Sequence, residues 1–472
     1  MKSGDILTNI LKIFGQRRRS DIDMTQGSIV KNLLRFAFPL LLGNLFQQLY
    51  NLVDTWVIGQ TGVNGAFAAV GSIGPVINIL IGFFLGLSSG AGVIISQHYG
   101  AKNEDKVRTA VHTSMLMTVI LGVIFTAVGI LMAPTLLDLM LRNNNSADEI
   151  YPHALTYLTI YFSGVLGLMV YNMGAGILRA IGDSEHPFYF LLVAALTNTV
   201  LDIVFVFVFH MGVAGVAIAT VIAQLLSAIL TVWVLLRTDT CVRLSLRELK
   251  IDRAMLGKII KIGIPAALQM ALTAFANVFV QSYIAGVDVP DQTACLGGWT
   301  SYSKVDMIIF LPIQSIALAA TTFVGQNLGV RDVARAKKGT TAAYLLATVG
   351  AVMLIVPVMI FAPQIAAVIN PDPAVVGYAT LFLRYLSPFY LLCCVNQVFA
   401  AALRGAGKTN ANMIIMLSTF VGFRQLYLFI MSNYISNAPL PIGMSYPAGW
   451  FACCVATLIY YKFCKFEKNT VI

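Results

Sequence analysis

Between residues 35 and 464 the chain is written almost entirely as apolar runs, twelve of them, each long enough to cross a bilayer as a helix. At about 1.5 Å of rise per residue, roughly 20 mostly apolar residues span the hydrocarbon core. The runs are 35–59, 66–97, 108–132, 152–180, 187–210, 212–237, 256–286, 296–325, 336–361, 375–403, 410–433 and 443–464. With 58% hydrophobic and 11% charged residues and a mean hydropathy of +0.80, the chain has more apolar surface than a water-soluble core can hide. Membrane β-strands are about half as long and alternate in polarity, which these runs do not. Gly, Pro, Ser and Asn inside several runs are tolerated, because neighbouring helices satisfy the backbone groups that lipid cannot. The expected fold is an all-α polytopic membrane protein with twelve transmembrane helices.

A net charge of +10 suits a nucleic-acid binder, but its distribution here reports topology. Lys and Arg gather before run 1 (Lys2, Lys12, Arg17, Arg18, Arg19, Lys31, Arg35), between runs 2 and 3 (Lys102, Lys106, Arg108) and after run 4 (Arg179). Seven more lie between Arg237 and Lys261, and the rest follow run 8 (Arg331, Arg335, Lys337, Lys338), run 10 (Arg404, Lys408) and run 12 (Lys462, Lys465, Lys468). If the runs alternate in direction, 27 of the 31 basic residues fall on one side, and only Arg142 lies in an opposite connection. The positive-inside bias then places both termini in the cytoplasm. The opening ILTNILKIF reads as an amphipathic segment on the inner membrane surface, not as a cleaved signal. The seven cysteines, with adjacent pairs Cys393–Cys394 and Cys453–Cys454, read as apolar packing; no metal-like spacing is present.

A charged stretch, RTDTCVRLSLRELKIDRAMLGK (237–258), divides the runs six and six, and the halves echo each other. ISQHYGAKNEDKVRTA (95–110) matches VGQNLGVRDVARAKKG (324–339), pairing Gln97 with Gln326, Gly100 with Gly329 and Lys102 with Arg331. GILRAIG (176–182) matches AALRGAG (401–407), and Pro39 with Asn51 matches Pro265 with Asn277. Offsets of 225–229 residues at three places indicate a duplicated six-helix unit. With an even number of spans the two copies are parallel repeats, an arrangement found in transporters with the substrate path between lobes. The expected organisation is a cytoplasmic segment 1–34, an N-lobe 35–238, a cytoplasmic linker 239–254 and a C-lobe 255–472.

LYNLVDTWVIG (49–59) sets a carboxylate, Asp54, in a run otherwise fit for lipid. Spacings of three and four put Asn44, Gln47, Asn51 and Asp54 on one face of run 1, and Asn198 and Asp202 share a face of run 5. Counting inward at about 1.5 Å per residue, Asp54 and Tyr157 lie about 8 Å, and Asp202 and Thr220 about 12 Å, below the outer ends of their runs. Two carboxylates desolvated at one level cannot both stay charged cheaply without a cation, so the pair is placed to exchange H⁺ or Na⁺. The alternative is a brace, one Asp merely hydrogen-bonding two helices together.

The second half is charged differently. Lys304, Asp306, Arg384 and Arg424 fall seven to ten residues below an outer end, three cations against one acid. They form either an ion-pair network around Asp306 or a cationic wall that meets an acidic part of a substrate; Arg384 alternatively snorkels to the surface. The prolines Pro39, Pro75, Pro265, Pro312, Pro357 and Pro388 read as kinks, with Pro39 placed to let run 1 bend. His98, His112, His153, His186 and His210 fall at or near helix ends and read as interfacial. No HExxH, P-loop or CxxC occurs, and no soluble stretch is large enough for an ATPase, so an ion gradient is the expected energy source and an enzyme is not expected.

Taken together, TQGSIVKNLLRFAFPLLLGNLFQQLYNLVDTWVIG, IISQHYGAK, FVGQNLG, LRAIGDSEHP and LRGAGKTN resemble the multidrug and toxic compound extrusion (MATE) antiporters, over roughly residues 25–465. The resemblance implies a V-shaped pair of six-helix lobes in the bacterial inner membrane. The implied activity is export of mostly cationic or amphipathic compounds in exchange for H⁺ or Na⁺, by a monomer needing no cofactor and no nucleic acid. The family's N-lobe cation site corresponds to Asp54, Asn198, Asp202 and Thr220, with Gln47, Tyr50, Tyr157 and Asn172 as neighbours; Pro39 corresponds to a bending proline. Asn51, Lys304, Asp306 and Arg424 complete the expected cavity lining. One departure stands out: some members carry a glutamate eight residues after the proline of helix 7, where this chain has Thr273. A flippase for a lipid-linked or anionic precursor is the alternative reading.

Overall fold

The computed structural model describes residues 21–60, 66–141, 147–464 and 466, and its regular secondary structure is entirely helical. The expectations for Lys2, Lys12, Arg17–Arg19, the opening amphipathic segment, Arg142, Lys465 and Lys468 lie outside the described residues. Eleven helices are long and apolar enough to cross a membrane, and one bent pair supplies a twelfth span. The spans are α1 (Ile29–Gly59), α2 (Ala66–Gly100), α3 (Glu104–Leu141), α4 (Ala147–Ser163 with Val165–Ala180), α5 (Glu185–Ile203, continued by a π-turn Val204–Val208) and α6 (Gly212–Arg237). They continue as α7 (Arg253–Ala285), α8 (Gln292–Gly329), α9 (Val333–Ile360), α10 (Pro373–Leu386 with Tyr390–Gly405), α11 (Thr409–Met416 running to Ile435) and α12 (Pro439–Gly443 with Ser445–Phe463).

The departures from straight helices have local causes. α4 bends by 48° at Gly164. A Cβ there would lie 2.7 Å from Val221 Cγ2 of α6, so the bend and the bare backbone together bring α4 against α6. α10 tightens into a single 3₁₀ turn at Ser387–Phe389, where Pro388 offers no N–H. α5 widens into its π-turn just after Asp202, and α11 has two such widenings, Leu417–Phe423 and Met431–Ile435, on either side of Arg424–Ile430.

The chain divides into two compact units. Among the described residues, one comprises Phe38–Gly74, Lys102–Gly257 and those before Thr25; the other comprises Thr25–Ala37, Pro75–Ala101 and those from Lys258 onward. The units change over after Gly257, just past the linker expected at 239–254. The expected N-lobe boundary at residue 35 needs correction, since the start of α1 and the second part of α2 pack with the C-terminal helices. Both shared helices change unit beside a proline, Pro39 in α1 and Pro75 in α2.

Small residues are the physical reason for that exchange. A Cβ on Gly86 would stand 2.3 Å from the Cα of Ala267, and one on Gly90 the same distance from the Cα of Gly263, so α2 meets α7 backbone to backbone. Further along, the repeated joints interlock. A Cβ on Gly100 would meet the Gln326 carbonyl oxygen at 2.0 Å, and one on Gly329 would meet the Gln97 oxygen at 2.2 Å. Gln97 Nε2 also donates to the Gly405 carbonyl at 2.9 Å. The two helix ends then repeat one turn design. Lys102 and Arg331 adopt φ of 57° and 60°, and Asn103 and Asp332 accept from the backbone N–H of Lys106 and Arg335.

Candidate functional site

Within the first unit, α1, α4, α5 and α6 bring together the polar residues the sequence singles out. Asp202 is fully buried, Asn198 is 1% exposed one turn before it, and Asp54 projects half-buried from α1. The Asp54 and Asp202 carboxyls lie within hydrogen-bonding reach of each other. Yet Asp54 Oδ1, both oxygens of Asp202 and both polar atoms of Asn198 have no donor or acceptor among the described residues. Buried oxygens in that state are costly, and two facing carboxylates supply acceptors only. A single proton between them turns one into a donor. A Na⁺ would instead take the carboxylate oxygens and the Asn198 carbonyl, the hard oxygen ligands that such an ion prefers.

Aromatic and hydroxyl groups close the surroundings. Tyr50, one turn before Asp54, lies near both carboxyls and within reach of Gln47. Tyr157 is 6% exposed, reaches the Thr220 side chain and stacks on Tyr161 with ring centroids 6.3 Å apart and planes 13° apart. Thr220 also donates to the Val216 carbonyl at 3.0 Å, which holds its hydroxyl against α6. Tyr161 and Gln224 stand next to each other at the same site and were not expected. Each lies four residues after an expected member, Tyr157 and Thr220, so helical spacing carried the signal. Asn172 is buried but donates to Leu168 of its own helix at 2.8 Å, and Asn51 is exposed. Neither joins the carboxylate cluster.

In the second unit the expected ion-pair network around Asp306 does not form. Among the described residues no ion pair involves Asp306, Lys304, Arg384 or Arg424. Asp306 accepts from the Tyr390 hydroxyl instead, and Tyr390 in turn lies 3.2 Å from the Tyr302 hydroxyl. Both phenols are almost wholly buried, so O–H donors replace cations on this acid. Lys304 and Arg384 are exposed. Arg424 is 2% exposed and donates from Nη2 to Asn277 Oδ1 at 2.9 Å, with its guanidinium over the rings of Tyr446 (5.0 Å) and Phe420 (5.7 Å). Thr273, where some relatives have a carboxylate, donates to the Gln269 carbonyl at 2.7 Å, and Gln269 Oε1 accepts from Asn412 at 2.8 Å.

Known proteins share this sequence pattern and fold. The MatE family model matches residues 39–204 and again residues 265–430, two stretches that follow the internal repeat. A probable multidrug resistance protein of Bacillus subtilis, YpnP, is 28% identical over 447 residues, covering 94% of this chain and 97% of that protein. A FAD transporter of Shewanella oneidensis is 25% identical over 409 residues, covering 86% and 88%. The solved outward-facing structure of a multidrug resistance MATE family transporter superposes with a TM-score of 0.88 at 24% identity, covering 96% of this chain and all of that one.

Proposed function

The chain belongs to the MatE family of membrane transporters, and on that footing we propose that it exports drug-like, mainly cationic or amphipathic compounds in exchange for H⁺ or Na⁺, with Asp54 and Asp202 as the coupling pair. One observation carries this reading: two facing carboxyls on α1 and α5 whose buried oxygens have no protein donor. Asn198 and Thr220 complete the cation's surroundings, and Tyr157 and Tyr50 screen it. Occupancy by H⁺ or Na⁺ removes the repulsion and draws α1 to α5; departure of the ion releases α1, whose proline, Pro39, is the point at which it gives. The family relatives named for multidrug resistance support the cargo class. The termini are assigned to the cytoplasmic side of a bacterial inner membrane from the basic residues around the inner ends.

The test uses inside-out vesicles with an imposed pH gradient, to which cationic dyes and fluoroquinolones are added with and without Na⁺. Substrate collapses the gradient in wild type and not in Asp54→Asn. A response that requires Na⁺ changes the ion but keeps the pair. Equal responses in both proteins refute the assignment. A second reading, anionic cargo, is favoured by the buried guanidinium of Arg424 and by the relative named as a FAD transporter.

A further inference from the structure

The internal repeat makes Arg424 in α11 the counterpart of Asn198 in α5, at the offset of 226 residues that also relates Asn51 to Asn277 and Pro39 to Pro265. At the position where the first unit's fifth helix holds an amide beside an acid, the second unit holds a fixed cation. The geometry points to Arg424 as an anion-binding group, recognising a carboxylate or phosphate carried by the transported molecule. This rests on the reading of the chain as an exporter and adds the part of the cargo that the second unit meets.

Three features of the arginine carry the inference. Its guanidinium is almost wholly buried, yet among the described residues no carboxylate pairs with it and its Nε has no acceptor. A buried charge without a counter-ion is costly, and retaining one beside a neutral amide leaves donors free for an incoming anion. Its one hydrogen-bond partner, Asn277, is exposed, and one of the two rings against it, Tyr446, is half-exposed, so the group lies one side chain below the surface of its unit. The one acid of the expected set, Asp306, accepts from the Tyr390 hydroxyl and, among the described residues, makes no ion pair with the guanidinium. Finally, the backbone is irregular just there. π-turns at Leu417–Phe423 and Met431–Ile435 bracket the single regular stretch that presents Arg424, and such turns concentrate at functional sites. Guanidinium suits the role, since it stays charged and offers paired donors that match a carboxylate or phosphate.

The experiment compares norfloxacin with its ethyl ester, which differ in the carboxylate alone, as ligands of purified full-length protein. Binding is read by quenching of tryptophan fluorescence; Trp450 stands 5.7 Å from Tyr446. The acid should bind wild type about tenfold more tightly than the ester, the scale of one charge-assisted hydrogen bond. Arg424→Gln should abolish that preference while leaving ester affinity unchanged, and Arg424→Lys should keep part of it. Asp54→Asn should lose gradient-coupled transport but keep the acid preference, which separates failure of the coupling assignment from failure of this one. Equal affinities for acid and ester in wild type overturn the inference without recourse to any variant. So does an Arg424→Gln protein that retains the preference, or one that loses acid and ester binding alike, which assigns the guanidinium to packing.

Discussion

Replacing Asp54 by Asn should make the protein more stable and functionally inert, and the structure sets the size of the effect. In the wild type, Asp54 Oδ1 and both oxygens of Asp202 are buried without a donor. An asparagine at 54 removes one charge and brings an N–H₂ group to face Asp202. Each buried acceptor left unmade costs about 1–3 kcal/mol, and a hydrogen bond to a charged group contributes about 1.5–3 kcal/mol. The half-exposure of Asp54 argues for the lower part of that range, about 1–2 kcal/mol. For a chain this long, at about 2.1 cal/mol/K of unfolding entropy per residue, that amounts to a rise in Tm of roughly 1–2 °C. Thermal denaturation in detergent, with dye-driven collapse of a pH gradient as the functional readout, checks both halves. The reasoning is refuted by a mutant less stable than wild type or by intact gradient collapse.

Gly100→Ala should lower Tm by several degrees, because its Cβ would sit 2.0 Å from a backbone oxygen that cannot rotate away, an overpacking worth about 3 kcal/mol or more. Gly329→Ala should act alike, and the double variant should cost less than the sum, since one separation of α2 from α8 relieves both clashes; strict additivity would show that the two glycines are not one joint. Tyr390→Phe removes the hydroxyl that Asp306 accepts from and should cost about 1.5–3 kcal/mol in stability, with Asp306→Asn in that background recovering part of it, both measured as Tm shifts. On the linker, burial and then Glu104 and Asp21 push the Cys241 thiol up to about 11. Alkylation by iodoacetamide at pH 8, followed by mass spectrometry, should therefore run about a hundredfold slower than for a free thiol, and a rate matching glutathione would contradict that environment.

Much of this protein was legible in the sequence because lipid imposes local rules. A run of about 20 apolar residues in lipid must be a helix, so each span follows from residues close together in the chain. Helical spacing and depth likewise placed Asp54, Asn198, Asp202, Thr220 and Tyr157 at one level, and the structure brings them into one cluster. What each face meets across the helix interface was decided by tertiary packing alone. Glycines at 86, 90 and 100 let the second part of α2 leave the first unit for the second, because contact between backbones depends on what stands opposite, and no local pattern records that. Asp306 found a phenol where three cations of the same depth were available, and Arg424 was left with an amide and two rings. Depth is set by position along a helix, whereas partnership is set by rotation and crossing between helices, and only the folded structure fixes those.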